Sequence, residues 1–415
     1  MRPSGGRLTQ PWLIAPETTE LVDALTARGA TVRFVGGCVR DALIGRAVRD
    51  IDVATPDRPG TVIRLLDDAG IKTIPTGVDH GAVTAVINRK HFEITTLRRD
   101  VKTLGRRAEV AFVDDWAADA RRRDFTFNAL FCDPDGVVYD PTGGLKDLVE
   151  GRVRFIGDAE KRIIEDGLRI LRFFRFHAWY GRGDMDGHGL AACRRRAGDI
   201  LNLSAERIAG ETERLLLSPD PVPTLRIMSE AGILRHVLAE ARHFDRLDGL
   251  VTIEIETGRA DPWRRLMALV EADEKGAVSL ARRLRLANKI RDRLTAMAAA
   301  APVVKPDDPL NTVRREIYRL GRERFIDQVM LMWAREPQQK GWLRLIEEPE
   351  NWPRPKFPVT GDDVLALGVD QGRAVGKILR ELEKWWMNND FPPEDNVKHE
   401  LRRQLSLADV TPPVA

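Results

Sequence analysis

The sequence predicts an α+β protein, with a mixed β-sheet and helices in the first third of the chain and helices alone in the rest. Short β-branched and apolar runs, separated by turn residues, continue as far as residues 136–141. From Ala159 onward the pattern is helical and β-branched runs become rare. A chain of 415 residues with 43% hydrophobic content is long enough for roughly two to four domains with their own cores.

The first predicted strand ends at a pair of glycines. Residues 31–35 are β-branched and apolar, Gly36 and Gly37 follow, and the segment to Gly45 has helical character. Backbone N–H groups at the start of a helix attract anions, and glycines leave them unobstructed. With Arg40 on the first helical turn, the pattern predicts a phosphate-binding turn, although a Gly-Gly pair can also be only a turn.

The next predicted strand, residues 50–54, carries two acids. Side chains alternate along a strand, so Asp50 and Asp52 share one face. Paired carboxylates offer the hard oxygen ligands that suit Mg²⁺, which commonly shares its shell with substrate phosphates. The alternative is a solvated pair of surface acids.

A third acid, Glu93, falls on the return strand of a predicted hairpin. Its first arm is residues 82–87 and its turn is residues 88–90. Phe92 and Ile94 would pack a core on the opposite face in either case. Glu93 is therefore either the third catalytic carboxylate, with Asp50 and Asp52, or an outward-facing strand glutamate.

The helical part opens with a predicted helix from Ala159 through Phe176. The cations of this helix recur every third residue and form a polar stripe with Asp166; they are Arg169, Arg172 and Arg175. The stripe indicates either a nucleotide-binding face or an ordinary amphipathic helix with ion pairs. Two proline-rich breaks, residues 301–309 and 352–358, divide the helices that follow.

Composition and charge narrow the function classes. The net charge of +3 is too small to indicate nucleic acid by itself, but arginines cluster locally, and such patches either bind phosphates or form solvated faces. Cys38, Cys132 and Cys193 are widely spaced, which favours neither zinc nor disulfides and indicates a reduced compartment. No apolar run is long enough for a signal peptide or a membrane span, so we expect a cytoplasmic protein with no membrane partner. Nothing in the sequence implies a protein partner.

Several motifs in order resemble one known family. They are residues 36–41, 50–52, 122–129, 140–148, 165–169 and 203–208. This set resembles the nucleotidyltransferase superfamily that includes DNA polymerase β, and specifically the class II tRNA nucleotidyltransferases and poly(A) polymerases. The chain is most similar to a bacterial CCA-adding enzyme.

The resemblance implies an architecture of head, neck, body and tail. The head would be a polymerase-β-like mixed sheet with helices, and the other parts all-helical, with a tRNA-binding tail; the implied ranges are 1–155, 156–240, 241–308 and 309–415. It also implies template-independent addition of CCA to tRNA from CTP and ATP. Asp50 and Asp52 would hold Mg²⁺, and two metals would serve phosphoryl transfer.

The resemblance assigns the reading of the incoming base to Asp166 and Arg169. Cytosine and adenine both present an amino donor beside an unprotonated ring nitrogen, whereas uracil and guanine present a carbonyl beside a ring N–H. A carboxylate that accepts and a guanidinium that donates therefore select C and A without a template. The charge of the triphosphate would be neutralised by Arg40, Arg122 and Arg123, although the motif that contains Arg122 and Arg123 could instead be purely structural. Farther along the helix, Arg172 and Arg175 would reach the triphosphate or the tRNA backbone.

Alternatives stay open within and outside the family. Residues 76–84 resemble the tRNA-specific version of the hairpin more than the poly(A) polymerase version, which favours CCA addition. Ala82 and Leu104 depart from the common pattern. Leu104 lies in the loop that the resemblance links to the switch from C to A, so an enzyme that adds only part of CCA, or a poly(A) polymerase, is the alternative. In a different class, the chain could be a catalytically inert RNA-binding relative, against which the intact acids argue.

Overall fold

The structure, a computed structural model, describes residues 3–104 and 107–408. The chain forms two compact units. The first comprises Met1–Ala241 with Arg283–Leu286, and the second Arg242–Arg282 with Ala287–Ala415. The finer division into head, neck, body and tail stays a prediction.

The first unit contains a mixed eight-stranded sheet and a separate hairpin. The strands are β1 (Pro3–Arg7), β2 (Arg33–Val35), β3 (Ile51–Thr55), β4 (Lys72–Gly77), β5 (Ala82–Ile87), β6 (Lys90–Thr96), β7 (Arg98–Leu104), β8 (Arg107–Phe112), β9 (Phe131–Cys132) and β10 (Val137–Tyr139). The order across the sheet is β1, β10, β9, β2, β3, β6, β5, β4, and β7 pairs with β8 in the hairpin. Among the strand pairs of the described residues, β3 and β6 run parallel and the others are antiparallel.

The two central predictions for this sheet are confirmed. The predicted acid strand is β3, beginning one residue later than expected, and the predicted hairpin is β5 and β6. Its turn has left-handed backbone at Asn88 (φ 47°) and Arg89 (φ 68°), the twist that a tight two-residue hairpin requires. No pattern in the sequence indicated the edge strand β1. The segment linked to the C-to-A switch is the β7–β8 hairpin, whose residues 105 and 106, together with the side chain of Leu104, lie outside what the structure describes.

Ten α-helices accompany the sheet in the described part of the first unit. They are α1 (Pro16–Thr26), α2 (Gly37–Leu43), α3 (Pro59–Asp68), α4 (Trp116–Arg122), α5 (Gly144–Glu150), α6 (Ala159–Glu165), α7 (Leu168–Tyr180), α8 (Gly187–Arg195), α9 (Ala205–Leu216) and α10 (Val222–Glu230). Aromatic side chains fix α7 in place. Phe173 of α7 stacks on Phe155 with ring centroids 5.4 Å apart, and Phe155 lies 4.8 Å from Phe125. Such aromatic pairs stabilise the fold by more than the burial of their apolar area alone provides.

The single long helix expected from Ala159 to Phe176 is wrong, because the chain breaks between α6 and α7. Asp166 has an extended backbone (φ −153°, ψ 104°), and Gly167 caps α7. The Asp166 side chain accepts a hydrogen bond from the N–H of Leu168 at 3.1 Å. Aspartate competes with helical backbone bonding in this way, which favours a new helix start over continuation.

The second unit is helical throughout its described residues. Its helices are α11 (Phe244–Thr257), α12 (Pro262–Leu269), α13 (Glu274–Arg283), α14 (Asn288–Ala298), α15 (Leu310–Leu320), α16 (Arg322–Arg335), α17 (Trp342–Asn351), α18 (Gly361–Leu365), α19 (Arg373–Asn388) and α20 (Glu394–Ala408). Both proline-rich breaks lie between helices, as expected. On α19, Trp386 is buried and Trp385 partly buried in one apolar cluster. No helix among the residues described is both long and apolar enough to cross a membrane.

Candidate active site

The glycine pair lies where β2 passes into α2, as the sequence predicts. Gly36 has φ 75°, which only glycine adopts without strain. A Cβ at Gly36 would meet Arg123 Nη1 at 3.5 Å and the Asn128 carbonyl oxygen at 3.6 Å. These are ordinary contact distances, so the positive φ, and not a lack of space beside the Arg123 guanidinium, is what favours glycine here.

The acids lie beside this turn. Asp52 on β3 is the direct parallel partner of Glu93 on β6, and Asp50 immediately precedes β3. Phe92 and Ile94 are buried on the opposite face, as expected. Burial, then the negative charge of Glu93, raises the pKa of Asp52 to about 6, and the nearby Arg123 opposes that rise.

A bound cation would relieve this electrostatic cost at Asp52. Oxygen donors on adjacent strands suit a hard divalent ion. Within residues 3–104 and 107–408, however, no three His, Cys, Asp or Glu side chains come together as a metal-binding group. The structure places Asp52 and Glu93 side by side on adjacent strands, with Asp50 one residue before β3.

One cleft of about 480 Å³ brings most of the predicted residues together. The predicted residues that line it are Gly36, Gly37, Arg40, Asp52, Arg123, Asp166, Arg169 and Arg172. Asp124, Asn128 and Arg207 add to its polar lining. A volume of this order is typical of small-molecule sites.

The predicted base-reading pair forms at the junction of α6 and α7, although its two members do not share one helix. Asp166 is held by Leu168 and by Arg207, whose Nη2 donates to Asp166 Oδ2 at 2.7 Å. Arg169 donates through Nη1 to Glu165 at 2.6 Å and to the Arg162 carbonyl at 2.7 Å. A carboxylate can accept about four hydrogen bonds and a guanidinium can donate five, so both groups keep capacity for a base.

A buried polar network connects the glycine turn to α7. Arg40 Nη1 donates to Asn128 at 2.6 Å, and the Asn128 amide donates to Asp124 at 3.0 Å. Asp124 in turn accepts from Arg172 Nε at 2.7 Å. Burial opposes ionisation of Asp124, but the Arg172 charge and these hydrogen bonds outweigh it and lower the pKa of Asp124 to about 2. The network fixes Arg40 and Arg172 at the cleft.

Two of the predicted nucleotide-binding arginines do not line the cleft. Arg122 donates to Asp119 at 2.7 Å, in an ion pair that Arg123 shares. Arg175 pairs with buried Glu211 at 2.8 Å and lies over the Phe176 ring. Buried carboxylates require a cationic partner, and these two arginines supply it. Their contact with the nucleotide stays a prediction.

Sequence reasoning missed three residues of the cleft. Asp124 and Asn128 belong to the motif at residues 122–129, and Arg207 to the motif at residues 203–208, but no role in the site was assigned to them. The signal that could have identified these residues is the presence of polar residues among apolar ones within the two motifs. Such residues are either buried in a network or functional, and their sequence positions do not separate the two cases.

The site geometry defines a nucleotidyltransferase head, and comparison with known proteins agrees. Residues 32–154 match the family model described as the poly A polymerase head domain. Residues 185–244 match the model described as a probable RNA and SrmB-binding site of polymerase A.

The relatives are more specific. The chain is 33% identical to CCA tRNA nucleotidyltransferase 1, mitochondrial, of Danio rerio over 90% of this chain and 87% of that protein. It is 32% identical to the CCA-adding enzyme of Geobacillus kaustophilus over 88% and 90% of the two chains. The fold is similar to the crystal structure of the Bacillus stearothermophilus CCA-adding enzyme in complex with CTP, with TM-score 0.74, 26% identity and coverage of 97% and 99%. This chain belongs to the family of CCA-adding tRNA nucleotidyltransferases.

Proposed function

We propose that the protein adds CCA to the 3′ end of tRNA from CTP and ATP without a nucleic-acid template. One observation carries this proposal. The glycine turn, the Asp52 carboxylate and the Asp166–Arg169 pair all line a single cleft. One nucleoside triphosphate in that cleft can place its phosphates at the turn and its base at the pair.

Base choice follows from hydrogen-bond polarity. Asp166 accepts from the exocyclic amino group of C or A, and Arg169 donates to the adjacent ring nitrogen. Uracil and guanine present the reverse pattern, which leaves desolvated groups unpaired at a cost of about 1–3 kcal/mol each. The contacts of Asp166 with Leu168 and Arg207 hold its orientation.

The acids account for the chemical step. CCA-adding enzymes generally use a divalent metal, and we propose Mg²⁺ at Asp50 and Asp52. When bound, the ion would neutralise phosphate charge and favour the ionised form of the attacking hydroxyl. Glu93 is the direct neighbour of Asp52 on the adjacent strand, and its charge contributes to the raised pKa of Asp52.

The protein positions the reacting groups. Arg123 and the glycine turn hold the triphosphate while the tRNA 3′ oxygen attacks the α-phosphorus in line. The bond from that phosphorus to the bridging oxygen breaks, and pyrophosphate leaves. In such a loose transition state, fixed positive charge and position provide most of the catalysis.

Incubation with tRNA lacking its 3′ end tests the proposal. Each labelled nucleotide is supplied alone and in combination, and products are resolved to single-nucleotide length. We expect two additions from CTP alone, a third only when ATP is also present, and none from UTP or GTP. A ladder of A on any RNA would indicate a poly(A) polymerase, arrest after two C residues a CC-adding enzyme, and no incorporation an inert relative.

The division into head, neck, body and tRNA-binding tail, and the cytoplasmic location, belong to the same proposal. Relatives whose names state a compartment are mitochondrial. The three cysteines are free and buried, which fits a reducing compartment.

A further inference from the structure

A second cleft opens beside the same acids. It has a volume of about 480 Å³ and shares Gly37, Arg40 and Asp52 with the nucleotide cleft. Its distinctive lining residues are Arg46, Arg49, Asp50, Trp179 and Tyr180. A transferase that joins two substrates needs a site for each at its reacting centre, and Asp52 lies in both clefts.

This second cleft leads away from the acids into a third. The third cleft, of about 410 Å³, shares Arg46, Trp179 and Tyr180 with the second and adds Arg182 and His177. The three shared residues make the two clefts neighbours along one path.

Aromatic rings and a guanidinium meet where the two clefts join. The Arg46 guanidinium lies 4.6 Å from the Tyr180 ring centroid and 5.7 Å from the Trp179 ring. Arg46 Nη2 donates to the Trp179 carbonyl at 2.8 Å. Arg46 Nη1 is buried and has no hydrogen-bond partner among the described residues, so the guanidinium has an unsatisfied donor at this junction.

The charge along the path changes away from the acids. The second cleft has a mixed lining, in which Arg40, Arg46 and Arg49 accompany Asp41, Asp50 and Asp52, whereas the third carries Arg46 and Arg182 against Asp220. Burial lowers the pKa of His177, which therefore adds no charge at neutral pH. Grooves lined by basic side chains and aromatic rings are typical binding sites for single-stranded nucleic acids.

We infer that these two clefts bind the single-stranded 3′ end of the acceptor RNA, with Trp179 stacking on a terminal base and Arg46 contacting the backbone. The terminal 3′-hydroxyl then lies towards Asp50 and Asp52. This inference rests on the proposed function and adds the residues that hold the acceptor. It leaves Asp166 and Arg169 to the incoming nucleotide.

Trp179→Ala, tested in the full-length protein, separates the two sites. The KM for tRNA lacking CCA, measured at saturating CTP, should rise about 10-fold, because base stacking on an aromatic ring is lost. The KM for CTP at saturating tRNA should stay within about twofold of wild type. An unchanged KM for tRNA would overturn the inference.

Trp179→Phe distinguishes stacking from structure. Trp179 Nε1 donates to the Arg214 carbonyl at 2.7 Å, so both variants lose that hydrogen bond but only the alanine variant loses the ring. We expect Phe to restore most of the affinity for tRNA. Equal loss in both variants, with equal loss of thermal stability, would assign Trp179 a structural role and contradict the inference.

Arg46→Gln tests the backbone contact by salt dependence. Removing one contact to a single-stranded phosphate should lower the slope of log affinity for tRNA against log salt by about 0.7. Arg28→Gln is the matched control, since Arg28 is an exposed arginine paired with Asp68, and its slope should equal that of wild type. A wild-type slope for Arg46→Gln would contradict the inference. Absence of CCA addition by the wild-type protein would instead refute the proposed function, so the two failures are distinguishable.

Discussion

Arg207 on α9 and Asp166, which precedes α7, form an ion pair at 2.7 Å across 41 positions of sequence. Together with the Leu168 N–H, Arg207 holds the Asp166 carboxylate at the wall of the cleft. The acceptor group proposed to read the base is therefore oriented before any nucleotide arrives. Such preorganisation lowers the entropic cost of recognition.

Replacing Arg207 by Ala should weaken nucleotide binding. Asp166 would lose a charge-assisted hydrogen bond and its orientation, so we expect the KM for CTP to rise about 3- to 10-fold. Steady-state kinetics with CTP varied measures this. Arg214→Ala, which removes a more exposed arginine of the same helix, should leave the KM unchanged; an equal effect of both variants would argue against a specific role for Arg207.

Replacing Arg169 by Ala should relax base choice. The discrimination against UTP and GTP, measured as the ratio of kcat/KM values to that for CTP, should fall about 10-fold or more, because each unpaired buried group costs roughly 1–3 kcal/mol. Arg194→Ala, an exposed change on α8, should keep wild-type selectivity. If Arg169→Ala still selected only C and A, base choice would lie in the RNA or elsewhere in the protein.

Asp52→Asn should abolish incorporation and yet stabilise the fold at neutral pH. The pKa of Asp52 is about 6 in the folded protein and near 3.8 when unfolded, so between these values the folded state keeps a proton that the unfolded state releases. Stability from this group is therefore lost as pH rises through about 4 to 6. In denaturant unfolding without divalent ions, the free energy of unfolding of Asp52→Asn should exceed that of wild type by about 1–2 kcal/mol at pH 8, a value that is reduced to allow for partial solvent exposure of Asp52. The difference should vanish near pH 4. Exposed Asp23→Asn is the control, and a loss of stability at pH 8 would contradict the pKa assignment.

Magnesium should stabilise the wild-type protein without any substrate. Ions that bind only the folded state raise the Tm, and protonation of Asp52 below about pH 6 removes a ligand. We expect a magnesium-dependent rise of Tm at pH 7.5, a smaller rise at pH 5.5, and none in Asp52→Asn. The same rise in wild type and variant would exclude Asp52 as a ligand.

Arg175→Ala should affect stability and leave selectivity unchanged. Its partner Glu211 is 3% exposed and, among the described residues, would keep only the exposed Arg214 at 3.0 Å and the more distant Arg172 at 3.9 Å. Loss of the most buried of the three cations around a buried carboxylate should destabilise the fold by about 2 kcal/mol. Arg214→Ala removes the more exposed partner of the same Glu211 and should cost less than about 1 kcal/mol. Thermal and urea unfolding measure the stability of both variants. A changed ratio of the kcat/KM values for CTP and UTP in Arg175→Ala would indicate that Arg175 does act in the nucleotide site.

Local sequence pattern was sufficient to predict those structural elements that depend only on residues close together in the chain. The glycine turn after β2, the acids at β3 and the β5–β6 hairpin could all be predicted, because strand alternation and turn chemistry act over a few residues. The break at Asp166 could not be read reliably from periodicity. Apolar residues continue in phase across it, and the outcome depends on a side-chain hydrogen bond to Leu168.

The sequence by itself determined which chemistry is available: the carboxylates of Asp50 and Asp52, the phosphate turn and an arginine-rich helix. Only the tertiary structure decided which arginines face the cleft. Arg172 and Arg175 have the same spacing and residue type, and each pairs with a buried carboxylate. Asp124, the partner of Arg172, lines the cleft, whereas Glu211, the partner of Arg175 at 2.8 Å, does not. The physical reason is that a buried carboxylate captures the nearest guanidinium, and which carboxylate is near depends on contacts between residues far apart in the chain.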